Sequence, residues 1–107
     1  MSEPDPVDLE RIKVEILLDS PLVRRVEEAA ERHGLTGWTV LPTLGGSGRS
    51  GRWRDDQVTG AASKVLFITV CNREKAEAFT RELSPVLEAY GSVLLKSKVE
   101  VVRPGKF

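Results

Sequence analysis

Ten consecutive residues, Gly45-Gly46-Ser47-Gly48-Arg49-Ser50-Gly51-Arg52-Trp53-Arg54, hold the groups in this chain best suited to binding an anion. Glycines let backbone N–H groups approach a ligand and form a nest, Ser47 and Ser50 supply hydroxyl donors, and Arg49, Arg52 and Arg54 bring charge. A phosphate or carboxylate is the natural guest. Gly46, Gly48 and Gly51 spell G-x-G-x-x-G, but a dinucleotide-binding fingerprint must open a helix, and the stretch from Trp53 to Gly60 has no helical apolar stripe. The phosphate loop of nucleoside triphosphatases fails as well, because Arg52-Trp53 stands where Lys-Ser/Thr is required. A soluble, flexible linker would share the glycine content, yet linkers rarely carry Arg-x-x-Arg-Trp-Arg.

Other reactive side chains are isolated. His33 adjoins Gly34 at a helix end and has no Cys, Asp or second His at ligand spacing, so it reads as a C-terminal cation or packing residue rather than a metal ligand. Cys71 closes an apolar strand and reads as a small core residue. Asp55-Asp56 would hold Mg²⁺ in a small metal-dependent nucleotide hydrolase, the alternative reading, but an acidic pair beside three arginines also balances loop charge. Trp53 is costly to expose and must pack on a ligand, a partner or the loop itself.

The elements that position these residues follow from periodicity. Arg11 to Leu18 alternates Ile12, Val14, Ile16 and Leu18 with charged positions, which predicts a strand. Ser20-Pro21 opens a helix with Leu22, Val23, Val26, Ala29, Ala30 and His33 on one stripe, and Gly34 ends it. Gly37 to Leu44 is strand-like but interrupted at Pro42. Gly45 to Ser63, with five of the nine glycines, reads as a long irregular loop. Ser63 to Cys71 is a nearly continuous β-branched run, expected to be a strand buried on both faces. Asn72 caps a second helix whose stripe is Ala76, Phe79, Leu83, Val86, Leu87 and Tyr90, with Pro85 expected to kink or restart it. Gly91 stops that helix, Ser92 to Ser97 forms a fourth strand, and Val99 to Val102 a short fifth.

This order is two β-α-β units, which right-handed crossovers fold into an α+β, ferredoxin-like β-α-β-β-α-β sandwich. Both helices cover one sheet face. The other is left with Leu17, Leu66, Ile68, Val70 and Leu94, a surplus that predicts a homo-oligomer whose open faces meet in a ring.

Composition excludes several classes. The 107 residues suit one domain of ~100–150 residues, and 16 basic against 16 acidic side chains argue against binding nucleic acid through counterion release. A single thiol cannot form an internal disulfide and suits a reducing compartment, the cytoplasm. Residues 1–10 are acidic without an apolar run, so a disordered tail is expected rather than a leader or membrane insertion, with a domain over 11–107 and its loop at 45–63.

Gly37-Trp38-Thr39-Val40 followed by Gly46-Ser47-Gly48-Arg49 resembles the G-x-T-V…G-x-G-R pattern of the PII signalling superfamily, running from the second strand into the long T-loop. Within it, Gly-Ser-Gly-Arg-Ser-Gly-Arg, Asn72-Arg73-Glu74, the short Tyr90-Gly91-Ser92 turn and the terminal Gly-Lys-Phe are most similar to the SbtB-like, bicarbonate-transporter-partner group and the carboxysome-associated PII protein. The resemblance implies a homotrimer that binds an adenine nucleotide (AMP, ADP or ATP) between subunits and is a regulator, not an enzyme. It implies that Thr39 flanks the adenine, that Gly46, Ser47 and Gly48 pass the phosphates, and that Arg49 and Arg52 pair with them. Gly91 and Ser92 would cross the same cleft as the B-loop, with Arg103 and Lys106 supplying cations from the tail. Bicarbonate would be a second small anion on the same arginines, and a bicarbonate transporter or carboxysome protein the partner.

Departures from the pattern narrow this. Nitrogen-sensing members place Gln after G-x-G-R for Mg–2-oxoglutarate, where this chain has Ser50. The T-loop tyrosine that is uridylylated in them is missing here, since the single Tyr is Tyr90 on the second helix. A B-loop without its glycine- and lysine-rich run points to AMP, ADP or a cyclic nucleotide rather than tight MgATP.

Overall fold

A computed structural model describes residues 6–49, 51–54 and 63–107. Asp55 and Asp56, Ser50 and the first half of the acidic N-terminal segment lie outside the described residues, as does much of the 45–63 loop. The elements are α1 (Pro6–Leu9), β1 (Glu10–Asp19), α2 (Val23–Arg32), β2 (Trp38–Pro42), β3 (Gly45–Gly48), β4 (Gly51–Arg54), β5 (Lys64–Cys71), α3 (Arg73–Ala89) and β6 (Val93–Glu100), with 3-10 turns at Ser20–Leu22 and Pro104–Lys106. Strands β2-β5-β1-β6 form one antiparallel sheet, the ferredoxin-like order, and β3-β4 form a separate hairpin.

Alternation in β1 does what its period requires. Ile12, Val14, Ile16 and Leu18 face the helices, opposite Cys71, Thr69, Phe67 and Val65 of β5. Val26, Ala29 and Ala30 of α2 and Ala76, Phe79, Leu83 and Leu87 of α3 close over them, with Phe67 between Trp38 and Phe79, stacked on the first and tilted against the second, at centroid distances of 6.1 and 6.0 Å. Each large side chain buried there is worth about 1.5–3 kcal/mol. Local stops work as their residue types predict: Asn72 Oδ1 accepts the Lys75 N–H at 2.8 Å, and Gly34 and Gly91 take left-handed φ of 73° and 68° behind their helices. His33 caps α2 and, with Arg32, meets Glu82 of α3.

Several expectations are corrected. Glu10 already pairs with Glu100, and α1 precedes it, because Arg11 ties the Asp8 and Glu10 carbonyls and Leu9 accepts the Val101 N–H; the expected disordered tail does not extend over residues 6–10. The start of the loop at 45–63 is a hairpin. Helix α3 runs unbroken through Pro85, and β6 is one strand to Glu100 rather than two. Tyr90, placed on the buried stripe, is exposed beyond the helix end. Finally, β5 is buried on one face only: Phe67, Thr69 and Cys71 are buried, while Leu66, Ile68 and Val70 are partly exposed on the open side.

That open side carries Leu17 and Leu66 with Leu41 of β2 and Val93 and Leu95 of β6, the last three 43%, 48% and 57% exposed. Leu94, assigned there from the sequence, sits opposite Ile16 on the helix side; Leu95 takes its place, since a one-residue shift in register exchanges the faces.

Candidate functional site

The hairpin is anchored at its base by one indole. Trp53 is 8% exposed, its Nε1–H donates to Thr43 Oγ1 at 2.9 Å, and that hydroxyl donates to the Lys64 carbonyl at 2.7 Å. Lys64 Nζ lies 5.4 Å from the indole centroid and 2.8 Å from Asp19 Oδ1, so one ammonium joins the hairpin to the ends of β1 and β5. Gly46 is where it is because of this packing: a Cβ there would stand 2.4 Å from Cη2 of Trp53. Gly45, at φ 156°, would bring a Cβ to 2.6 Å from the Trp53 carbonyl. The indole therefore packs on its own loop.

Pairing Gly46 with Trp53 puts Ser47 and Arg52, the next pair, on the opposite face of the hairpin, side by side. Gly48 pairs with Gly51, and Arg49 stands at the turn. Among the described residues a Cβ at Gly48 would meet nothing within 4 Å, so no packing between them explains a glycine there; close approach of a ligand would. Arg49, Arg52 and Arg54 are exposed and, among the described residues, have no carboxylate within salt-bridge distance. Three exposed guanidinium groups on an anchored hairpin can take a phosphate or a carboxylate by charge-assisted hydrogen bonds.

A second feature is a groove of about 480 Å³ along the β2 edge, where Thr39, Gly37, Ile68, Thr69 and Val70 meet Lys106 and Phe107. Its wall is set by Thr69 Oγ1–H donating to the Gly37 carbonyl at 2.7 Å and by the Trp38 Nε1–H bonded to Glu27 at 2.9 Å. Thr39 lies on the open face opposite Ile68. The C-terminal turn that brings in Lys106 is held by Arg11, whose Nη2 donates to the Pro104 carbonyl at 3.1 Å.

The structure thus joins Thr39 with Lys106, and gathers Gly46, Ser47, Gly48, Arg49 and Arg52 on the hairpin. Gly91 and Ser92 lie elsewhere, at the β6 edge of the sheet, three strands from β2. Gly91 also has a full structural reason, the left-handed turn behind α3. Ser92 Oγ is buried and lacks a hydrogen-bond partner among the described residues. Arg103 is exposed at the head of the C-terminal turn. Sequence reasoning missed Thr43, Lys64 and Phe107; the one available signal was a lysine opening an otherwise apolar strand. Burial raises the Cys71 thiol pKa, opposed by nearby Lys75, which suits a packing residue rather than a nucleophile. Among the described residues no group of His, Cys, Asp and Glu is placed to hold a metal, and no helix is long and apolar enough to cross a membrane.

Among solved structures, CPII, a nitrogen regulatory PII-like protein from Thiomonas intermedia K12 bound to ADP, AMP and bicarbonate, is 23% identical with a TM-score of 0.84, covering 92% of this chain and 93% of that one. A PII-like signalling protein from Thermus thermophilus is 24% identical with a TM-score of 0.79 over 92% and 96% of the two chains. A DUF3240 family protein from Shewanella baltica OS155 is more distant, at 11% identity and a TM-score of 0.60 over 89% and 92%. A search of curated protein sequences returns no match. These likenesses carry the fold, and residues 11–106 match the family described as nitrogen regulatory protein P-II. The match spans almost the whole sheet, both long helices and the hairpin, so the chain belongs to the P-II family of regulatory signalling proteins, which are not enzymes.

Proposed function

We propose that the chain is a homotrimeric sensor that binds an adenine nucleotide, AMP, ADP or ATP, in clefts between subunits, together with bicarbonate. The observation that carries this reading is the set of arginines without a carboxylate partner among the described residues, on a hairpin fixed at the rim of an open apolar sheet face. One chain holds only parts of a site: a groove at Thr39 and Lys106, cations on the hairpin, and Gly91 and Ser92 at the far sheet edge. Packing the open faces of several copies buries Leu41, Val93 and Leu95 and brings one subunit's parts against another's.

In that cleft the adenine lies by Thr39, the phosphates meet the backbone N–H groups of Gly46 to Gly48, and Arg49 and Arg52 pair with them. Gly91 and Ser92 line the same cleft, and Arg103 and Lys106 add charge from the C-terminal turn. Bicarbonate is a second anion on the same arginines, a reading supported by CPII, which was solved with ADP, AMP and bicarbonate. Ligand occupancy shifts the conformations of the loop over Gly45 to Ser63, which then presents its surface to a bicarbonate transporter or carboxysome protein in the cytoplasm.

Thermal melts with AMP, ADP and ATP, each with and without bicarbonate, test this. A nucleotide at 100 times its Kd stabilises by about 2.7 kcal/mol, and bicarbonate is expected to tighten it further. Melts that no nucleotide moves would refute the sensor. Unchanged nucleotide affinity across millimolar bicarbonate would remove the bicarbonate half alone.

A further inference from the structure

At the end of β1 remote from the hairpin, we propose a separate anion site that takes a phosphate group. A pocket of about 170 Å³ is lined by Glu10, Arg11, Ile12, Arg73 and Lys98. It shares Ile12, Arg73 and Lys98 with a neighbouring hollow of about 180 Å³ that adds Lys96, Ser97, Ala76 and Glu77. The register sets this up: Ile12 faces Lys98 and Val14 faces Lys96, so both lysines stand on the helix side of the edge strand, where α3 begins with Arg73.

Four cations, Arg11, Arg73, Lys96 and Lys98, therefore surround the paired hollows against two carboxylates, Glu10 and Glu77. None of the four has a carboxylate within 4.0 Å among the described residues. Arg11 shows the imbalance most directly. Its Nη1 donates to the Asp8 and Glu10 carbonyls, its Nη2 to that of Pro104, and its Nε is buried with no acceptor among the described residues. Carbonyl oxygens accept hydrogen bonds but do not neutralise the guanidinium, and a buried donor left unmade is unfavourable. A phosphate between Arg73, Lys96 and Lys98 would supply the missing charge, and the positive end of the 17-residue α3 favours it further.

Inward-pointing lysines also guard an edge strand against pairing with other chains. That role would need only Lys96 and Lys98. It leaves unexplained why Arg73 of α3 and Arg11 of β1 line the same hollow. From Glu10 to Asp19 the strand extends roughly 30 Å at ~3.3 Å per residue, so this site lies well away from the hairpin base.

The test is a titration of the ¹⁵N-labelled full chain with inorganic phosphate at constant ionic strength, with chloride as the control, repeated on Arg49→Ala. Saturable amide shifts are expected at Arg73 to Ala76 and at Lys98 in both proteins. Arg73→Gln combined with Lys98→Gln should weaken phosphate at least ~10-fold, and Lys98→Arg should retain it. Shifts confined to the hairpin, equal shifts with chloride, or indifference to the double substitution would each overturn the site. A phosphoserine peptide in place of inorganic phosphate separates the sources. Tighter binding of the peptide assigns the site to a phosphorylated partner, and equal binding to free phosphate.

Discussion

The base and the tip of the hairpin over residues 45–54 differ in almost every physical respect. At the base, Trp53 is buried on Gly46, hydrogen-bonded through Thr43 to the β5 backbone, and covered by an ammonium that is itself paired with Asp19. At the tip, Gly48, Arg49, Gly51 and Arg52 are exposed and, among the described residues, the arginines have no carboxylate partner. Glycine serves opposite purposes at the two ends: Gly46 makes room for an indole, while Gly48 leaves room that nothing among the described residues fills. A rigid base defines where the arginines start from, and an unengaged tip leaves their hydrogen-bonding capacity for a ligand. Position and availability are thus supplied by different residues.

That contrast can be broken most severely at Trp53. Trp53→Ala should cost about 3–5 kcal/mol of hairpin closure, with amide exchange accelerated over Gly45–Gly48 and Gly51–Arg54. Protection in β1 and β5 should persist, because Trp53 lies outside the main core cluster. Equal loss in those strands would mean that the base is part of the core.

Arg49→Ala probes the tip. Losing one charge-assisted bond to phosphate, about 1.5–3 kcal/mol, weakens AMP or ADP roughly 10- to 150-fold by calorimetry. Its melting temperature should match the parent, since Arg49 is exposed and makes no ion pair among the described residues. Parent-like binding would move the phosphates away from Arg49.

A pair of glycine substitutions sharpens the comparison. Gly46→Ala must displace the indole and should cost about 1–3 kcal/mol in denaturant unfolding. Gly48→Ala should stay within about 0.5 kcal/mol yet lower nucleotide affinity. A stability loss at Gly48 equal to that at Gly46 would erase the distinction.

The smallest effect lies away from the hairpin. Hydrogen bonds from Arg32 and then His33 hold the Glu82 carboxyl below its ordinary pKa. A carboxylate whose folded pKa is depressed stabilises above its unfolded value, here 4.5, and that contribution fades as pH falls through the folded one. Titrating below pH 4.5 should speed exchange at the C-terminal turn of α2, an effect that Glu82→Gln abolishes. Because Glu82 is solvent-exposed, the change should be slight.

Much of the scaffold is legible in the sequence. Period-two alternation marks β1, a helical stripe marks α2, Asn72 marks the start of α3, and Gly34 and Gly91 mark helix ends. The hairpin is not legible, because Gly45 to Arg54 lacks the β-branched alternation that announces strands. It pairs because Trp53 finds Gly46, Thr43 and Lys64, a set of contacts spread over about twenty residues. Pro85 carries less weight than its type suggests: at its place near the end of α3, the helix absorbs the lost N–H without stopping. The site residues are readable by type and by resemblance, but their distribution over the groove, the hairpin and the far sheet edge is not.

What the sequence alone determined is local: which stretches alternate, where helices begin and stop, and which ten residues are rich in glycine and arginine. Those properties depend on a residue and its neighbours a few positions away, and backbone sterics and hydrogen bonding act over that range. Only the tertiary structure decided that Leu95 rather than Leu94 faces outward, that Trp53 turns onto its own loop, and that Lys106 reaches Thr39 while Gly91 does not. Those outcomes depend on which surfaces meet across the fold, and burial and register are settled there by partners distant in the chain.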